Sequence, residues 1–201
     1  MLQVNTEGNR PFVLQAVIHD TRKHSNAATY LHANLFSQVK RMVKGSQGGT
    51  RTVSPLYCCL VKLIRAYVKS FPGETQASLL QTDCSMAVLD ITSGRLYTLC
   101  FGKSAHLAHV ASELGHAAEP VTMREHMVGN SIVLDAAYES FQTQHHVVLG
   151  SKGLWCAASC FSSPAPVWAL QLCTFNVTGV LLSSCRLCTE HMLVDRRQLI
   201  D

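Results

Sequence analysis

Residues 145–155 have the sequence HHVVLGSKGLW, and the fold of the chain is inferred outward from this stretch. Three apolar residues, 147–149, end abruptly at Gly150, and Gly153 and Trp155 follow closely. A short apolar, β-branched run that stops at Gly-Ser-Lys-Gly is typical of a buried strand entering a tight turn. We therefore predict a strand over residues 145–150. Any strand-to-helix junction of an α/β protein shares this pattern, so the rest of the chain has to show which fold is present.

The remaining elements follow from apolar spacing and from the residues that break it. Apolar positions three and four apart predict helices over 26–43 and 55–70, and Phe71-Pro72-Gly73 ends the second helix. Continuous or alternating apolar runs predict the other elements, which are strands over 12–18, 85–91 and 95–101, with a hairpin turn at Ser93-Gly94 between the last two. A further short strand is expected over 105–109. Loops and a short helix are expected over 110–140.

Composition limits the class of protein. The chain has 201 residues, of which 47% are hydrophobic and 15% charged, which is typical of one globular domain. A net charge of +4 with scattered basic residues gives no basic stripe, so we expect no nucleic-acid partner. The first ten residues are polar and no apolar run reaches about 18 residues, so we expect neither a signal peptide nor a membrane span. Nine cysteines, several within apolar runs, favour a reducing cytoplasmic or nuclear location.

Five short segments together resemble the PPM-type (type 2C) metal-dependent Ser/Thr protein phosphatases. Residues 150–155 are similar to that family's Asp-Gly-Leu-Trp segment, in the form GSKGLW found in the PH-domain leucine-rich-repeat protein phosphatases. The other matching segments, in the family's order, are 16–21 (Asp-Gly-His-Gly-Gly), 83–86 (Gly-Ser-Thr-Ala), 96–104 (Gly-Asp-Ser) and 175–180 (Asp-Asn-Val-Thr).

The resemblance implies an α/β sandwich in which two antiparallel sheets face each other and helices lie outside. It further implies a phosphatase-like domain over residues 1–182, possibly truncated, in which 156–182 match less well. Residues 183–201 form a divergent C-terminal tail with no counterpart in the family.

In that family, carboxylates at strand ends hold two Mg²⁺ or Mn²⁺ ions, which activate water and clamp the phosphate. Most of the corresponding positions are not acidic in this chain: they are Lys103, Lys152, Cys156 and Phe175. Asp20 alone survives, so it is the metal ligand only if a site persists. A lysine cation repels a divalent ion at close range, although leucine-rich-repeat phosphatases regarded as active share Lys152.

The combined loss predicts a pseudophosphatase, a catalytically impaired domain that acts in signalling by binding a protein or a phosphopeptide. No cofactor is then expected, and the Lys152 ammonium either replaces the lost cation near Asp20 or points into solvent. One alternative is an active divergent Mg²⁺- or Mn²⁺-dependent Ser/Thr phosphatase that uses Asp20 with Asp83 or Asp135. The others are a fragment or alternative product of a larger phosphatase-domain protein and an unrelated α/β protein.

Two further groups contain residue types that can bind metal, but neither is expected to do so. Cys185, Cys188 and His191 have spacing suited to part of a zinc site, but no fourth ligand follows at recognisable spacing. The second group is a series of histidines, His106, His109, His116 and His126, which are more often surface or satisfied core residues.

Overall fold

The computed structural model describes residues 2–6, 10–20, 22, 25–45, 54–103, 109–112, 120–139 and 145–149. Its helices are α1 (Ala27–Gly45), α2 (Pro55–Ser70) and α3 (Gln76–Leu80). Its strands are β1 (Leu2–Asn5), β2 (Phe12–His19), β3 (Asp83–Asp90), β4 (Arg95–Phe101), β5 (His109–Ser112), β6 (Thr122–Val128), β7 (Ser131–Tyr138) and β8 (His145–Val148).

Six of these strands form one open antiparallel sheet in the order β1-β2-β3-β4-β7-β6. The register pairs His19 with Asp83 and Cys84 with Phe101, so β2 ends, β3 begins and β4 ends at the same end of the sheet. The strands β5 and β8 form a separate antiparallel pair. The described chain therefore has an α/β architecture with one six-stranded sheet and helices.

The main core lies between one face of the six-stranded sheet and the helices. Alternate residues of the central strands, such as Leu14, Met86 and Leu99, pack there against Leu35 of α1 and Leu60 of α2. All five are at most 1% exposed. Because strand side chains alternate between faces and helix side chains repeat every three to four residues, the two apolar patterns of the sequence meet at this single interface.

The opposite face of the sheet carries a second, smaller apolar cluster. Val13, Leu89 and Leu96 belong to it, and so do Val147 and Leu149 from β8 and the residue that follows it. Within the stretch from which the fold was inferred, Val147 and Leu149 are thus buried against the sheet face that the helices leave open. Residues 12–18 and 145–149 consequently share one core, as the predicted architecture requires.

Most of the predicted elements are confirmed with small differences at their ends. The strand predicted over 95–101 and the helix predicted over 55–70 have the predicted bounds, and 12–18, 85–91 and 26–43 differ by one or two residues. The Ser93-Gly94 turn is also confirmed: Gly94 has φ +65°, and the Asp90 carboxylate accepts hydrogen bonds from the backbone of Thr92 and Ser93. Two short elements, β1 and α3, were not predicted.

The prediction of loops and a short helix over 110–140 is wrong for residues 122–138. Residues 122–128 and 131–138 form β6 and β7, joined by a two-residue turn at Gly129-Asn130, where Gly129 has φ +61°. A Gly-Asn pair between two alternating segments is a hairpin signal. It was missed because Arg124, His126 and Asp135 occupy positions that face the helices, so the hydrophobic alternation is masked by polar residues.

Candidate functional site

Several residues singled out from the sequence lie at the end of the sheet where β2 and β4 end and β3 begins. Asp20 follows β2, Asp83 begins β3, and Gly102 and Lys103 follow β4. Two of the five candidate site positions, Asp20 and Lys103, therefore meet at one end of the sheet, and Lys103 is exposed there.

The Asp20 carboxylate is held by a hydrogen-bonded network around Arg22. Its Oδ1 accepts hydrogen bonds from the Arg22 backbone N–H at 3.0 Å and from Nε at 2.9 Å. Its Oδ2 accepts from Arg22 Nη2 at 2.7 Å and from the Thr82 hydroxyl at 3.0 Å. Each carboxylate oxygen therefore accepts at least two hydrogen bonds, which leaves no acceptor site of the carboxylate open.

The electrostatics of this network favour the ionised carboxylate. The forked guanidinium of Arg22 holds the pKa of Asp20 well below its usual range, and hydrogen bonds from Ser25 and Thr82 act in the same direction against the effect of burial. The same pair raises the pKa of Arg22. The Asp20 side chain is 5% exposed and the Arg22 side chain 32%, so the carboxylate is buried while the guanidinium reaches the surface. Charge-assisted hydrogen bonds in which one guanidinium contacts both carboxylate oxygens are stronger than hydrogen bonds between neutral groups.

This geometry tests whether the retained carboxylate suits a divalent cation. A Mg²⁺ or Mn²⁺ ion needs oxygen ligands with free lone pairs, whereas the Asp20 oxygens already face a guanidinium and a hydroxyl. A divalent cation at Asp20 would have to displace Arg22 and would be repelled by it. Asp20, held in this way, does not fit the metal-ligand role; among the described residues, no three His, Cys, Asp or Glu side chains are grouped to hold a metal ion.

Gly102 allows the turn after β4 to pack closely against Thr82 and Asp83. Its φ of +114° is disfavoured for residues with a Cβ, and a Cβ added there would lie 2.6 Å from Asp83 Oδ1 and 2.7 Å from the Thr82 carbonyl oxygen. The glycine that resembles the family's Gly-Asp-Ser turn is thus required by backbone conformation and by space. Asp83 is packed beneath this turn.

Asp135, the other carboxylate considered as a ligand, lies elsewhere. It is opposite Leu99 on the face of the sheet that packs against the helices, and it is 2% exposed. Its Oδ1 lies 2.7 Å from His126 Nε2, and the His126 ring stacks on Tyr57 of α2 with ring centroids 3.8 Å apart. His126 thus connects Asp135 of β7 to Tyr57 of α2, which gives Asp135 and His126 a structural role.

Three of the four described cysteines behave as apolar core residues, and Cys58 is half-buried. Cys58, Cys59, Cys84 and Cys100 are free thiols. Burial raises the pKa of Cys59 and of Cys100 to about 12 and raises the pKa of Cys84 as well. These three thiols stay protonated at neutral pH, which makes them poor nucleophiles and poor metal ligands.

Several candidate positions lie outside the described residues: Lys152, Cys156 and Phe175, the Cys185, Cys188 and His191 group, and two of the four histidines, His106 and His116. The expected strand over 105–109 is described only at His109, which begins β5. The domain boundary at 182 also falls outside.

Arg22, the partner of Asp20, was not singled out from the sequence. Its position two residues after Asp20 is a weak signal for an ion pair at a strand end. Its contact with Thr82 joins residues 60 apart in sequence, so only the folded chain shows it.

Comparisons with protein-family models, with curated proteins and with solved structures each found no match.

In the described part of the chain, no helix has the length and apolarity needed to span a membrane.

Proposed function

We propose that this chain is a PPM-type phosphatase-like domain that has lost its catalytic metal centre and acts in signalling by binding a protein or phosphopeptide. The observation that carries the proposal is the Asp20–Arg22 pair. At the strand end where the resembled family holds metal, the one surviving carboxylate is paired with a guanidinium through two direct bonds, at 2.7 and 2.9 Å.

The sandwich architecture belongs to the same proposal. The packing of Val147 and Leu149 against the sheet face away from the helices supports a second layer on that side. The free thiols of the described chain support a reducing, intracellular environment.

The active-enzyme alternative requires Asp20 and a second carboxylate to bind the same cation. Asp83 lies at the same end of the sheet as Asp20, so it is the second carboxylate that this alternative would use. Asp135 is instead paired with His126 on the helix-facing side of the sheet. Activity would therefore require Arg22 to leave Asp20 first.

The test measures turnover and binding on the same purified full-length chain. Phosphate release from a degenerate phosphoserine/phosphothreonine peptide library is followed with millimolar Mn²⁺, and binding of the same library is followed by fluorescence anisotropy. Melting temperature is recorded with and without Mn²⁺, because a cation that binds only the folded state raises it. We expect no phosphate release, no saturable rise in melting temperature, and saturable binding of a subset of phosphopeptides or of a protein partner recovered by affinity capture.

Arg22→Ala tests the role of the ion pair, because it removes the guanidinium from the Asp20 carboxylate. Arg95→Ala, at an exposed position, is its control. Mn²⁺-dependent turnover by the unmodified chain would overturn the proposal in favour of an enzyme. Absence of both turnover and any specific binding would overturn it in favour of a non-functional fragment.

A further inference from the structure

The part of the chain that contains α1 and α2 differs in charge from the rest. Residues 21–73 include nine of the 17 Lys and Arg residues and none of the 13 Asp and Glu residues. The mild net charge of +4 hides this separation. Because neither helix contains an acidic residue, the positive charges on their outer surface are not neutralised from within the helices.

The positive side chains of α2 lie on one face of the helix. Lys62, Arg65 and Lys69 are three and four positions apart, so they are neighbours along the same side, and all three are exposed. The opposite side, which includes Leu60 and Leu63, is buried in the main core. None of the three basic side chains forms a hydrogen bond or an ion pair with another described residue. We call Lys62, Arg65 and Lys69 the α2 basic face.

The neighbouring helix α1 does not oppose this charge. The Tyr30 hydroxyl of α1 donates a hydrogen bond to the Leu63 carbonyl oxygen at 3.2 Å, and the ring centroids of Tyr30 and Tyr67 lie 5.2 Å apart, so α1 lies beside α2. The helix α1 adds the exposed Arg41 and no carboxylate. A negatively charged ligand on the α2 basic face would therefore meet no repelling carboxylate from either helix.

The spacing of the α2 basic face suits a row of carboxylates. From position 62 to position 69 the helix axis rises by about 10 Å, so the three cations form a series of separate charges instead of surrounding one phosphate. Carboxylates placed three and four residues apart on a partner helix have the same spacing. Val68, 39% exposed on the same helix, adds the apolar contact that protein interfaces combine with polar ones.

The composition of the α2 surface favours a protein over a nucleic acid or a membrane. Single-stranded nucleic acids are bound with stacked aromatic side chains, and helices at a membrane surface insert several large apolar side chains. In α2, Tyr57 stacks on His126 and Tyr67 is buried. Val68 is the one large apolar residue described as exposed on this helix. The available contacts are thus mainly ionic and matched to a short acidic segment.

We propose that the α2 basic face binds an Asp/Glu-rich segment of a partner protein, whose carboxylates pair with Lys62, Arg65 and Lys69. This inference rests on the function proposed above, because it names the chemistry of the protein partner. It places the contact on the outer surface of α2 and not at the Asp20 network. Since exposed ion pairs are individually weak and are screened by salt, the affinity should fall as the salt concentration rises.

Fluorescence anisotropy with the full-length chain tests the contact. The probe is a fluorescein-labelled, alanine-rich helical peptide with three glutamates spaced three and four residues apart, and its control peptide has glutamine in their place. Arg65→Glu is compared with Arg95→Glu, a matched change at an arginine that is 52% exposed on β4. We expect Arg65→Glu to raise the Kd about tenfold, because one attraction is lost and one repulsion is created. Arg95→Glu should change it by at most about twofold, and the glutamine peptide should not bind.

Equal Kd values for Arg65→Glu and Arg95→Glu would overturn this site and leave the proposed function in place, since binding elsewhere on the chain would satisfy that function. Absence of binding to the glutamate peptide would overturn the inference, and the proposed function fails with it only if phosphopeptides and captured partners do not bind either. Tighter, Arg65-dependent binding of a single-stranded oligodeoxynucleotide, of phosphatidylserine vesicles or of a phosphopeptide with the same net charge would overturn the inference in favour of that ligand.

Discussion

At the scale of single residues, the partners of the Asp20 carboxylate determine what it can do. Asp20 follows β2, and Arg22 and Thr82 donate hydrogen bonds to its two oxygens. The ion pair is only partly exposed, and each Asp20 oxygen has two donors. The network therefore stabilises the strand end, and its contribution depends on Asp20 being ionised.

Asp20→Asn tests that dependence on pH. The pKa of Asp20 is lowered from 3.8 in the folded chain, so its contribution is present above about pH 4 and is lost as pH falls towards the folded-state pKa. We expect Asp20→Asn to lower the free energy of unfolding by about 1.5–3 kcal/mol at pH 7, the range for hydrogen bonds to charged groups. The difference should shrink progressively below pH 4.

Urea unfolding at several pH values measures this difference. Glu125→Gln, at an exposed position on β6, controls for the loss of one carboxylate charge. A difference between Asp20→Asn and the unmodified chain that stays constant down to pH 2 would contradict the assigned role of the ion pair.

Gly102 gives a second prediction at this scale, because conformation and space can be separated. Gly102→Ala introduces a Cβ at 2.6 Å from Asp83 Oδ1, whereas Gly73→Ala introduces one with nothing within 4 Å, and both glycines have positive φ. Gly73→Ala should cost about 1–3 kcal/mol from backbone strain alone. Gly102→Ala should cost clearly more in thermal or urea unfolding, and equal losses would show that crowding at Asp83 does not matter.

At the scale of elements, the central strand β4 contains a polar residue that its environment does not use. Thr98 is 0% exposed, and its Oγ1 has no hydrogen-bond partner among the described residues. A buried hydroxyl without a partner carries a desolvation cost, while the β-branched shape of threonine suits a strand. The packing of β4 therefore depends on the shape of Thr98 and not on its hydroxyl.

Thr98→Val keeps that shape and removes the hydroxyl. We expect it to raise the free energy of unfolding by about 1 kcal/mol. Thr92→Val, in the exposed turn between β3 and β4, is the control and should change stability by less than about 0.5 kcal/mol. A destabilised Thr98→Val would mean that the hydroxyl has a partner in the folded protein.

At the scale of the whole molecule, the six-stranded sheet separates two apolar layers. The helix side is closed by α1, α2 and α3, and the stacking of Tyr57 on His126 connects α2 to the far edge of the sheet. The other side is closed over its centre by Val147 and Leu149, while Met123, Met127 and Ile132 are exposed towards β6. The network around Asp20 and these exposed side chains lie at different parts of the sheet, so separate variants can test them.

Much of the fold could be predicted because local patterns determine it. The apolar spacing of residues 55–70 and the Ser93-Gly94 turn specify their elements without reference to distant residues. The hairpin of β6 and β7 was missed although Gly129-Asn130 signals its turn. Its polar residues satisfy one another only after folding, so the apolar alternation on which the prediction relied is interrupted there.

The apolar run over residues 12–18 was enough to predict that a strand ends beside Asp20. That Arg22 and Thr82 occupy the Asp20 oxygens, and that Asp135 faces His126, emerges only from the folded chain. The physical reason is the range of the interactions. Helix spacing and turn conformation act over a few residues, whereas ion pairs and hydrogen bonds act between atoms about 3 Å apart that chain folding brings together.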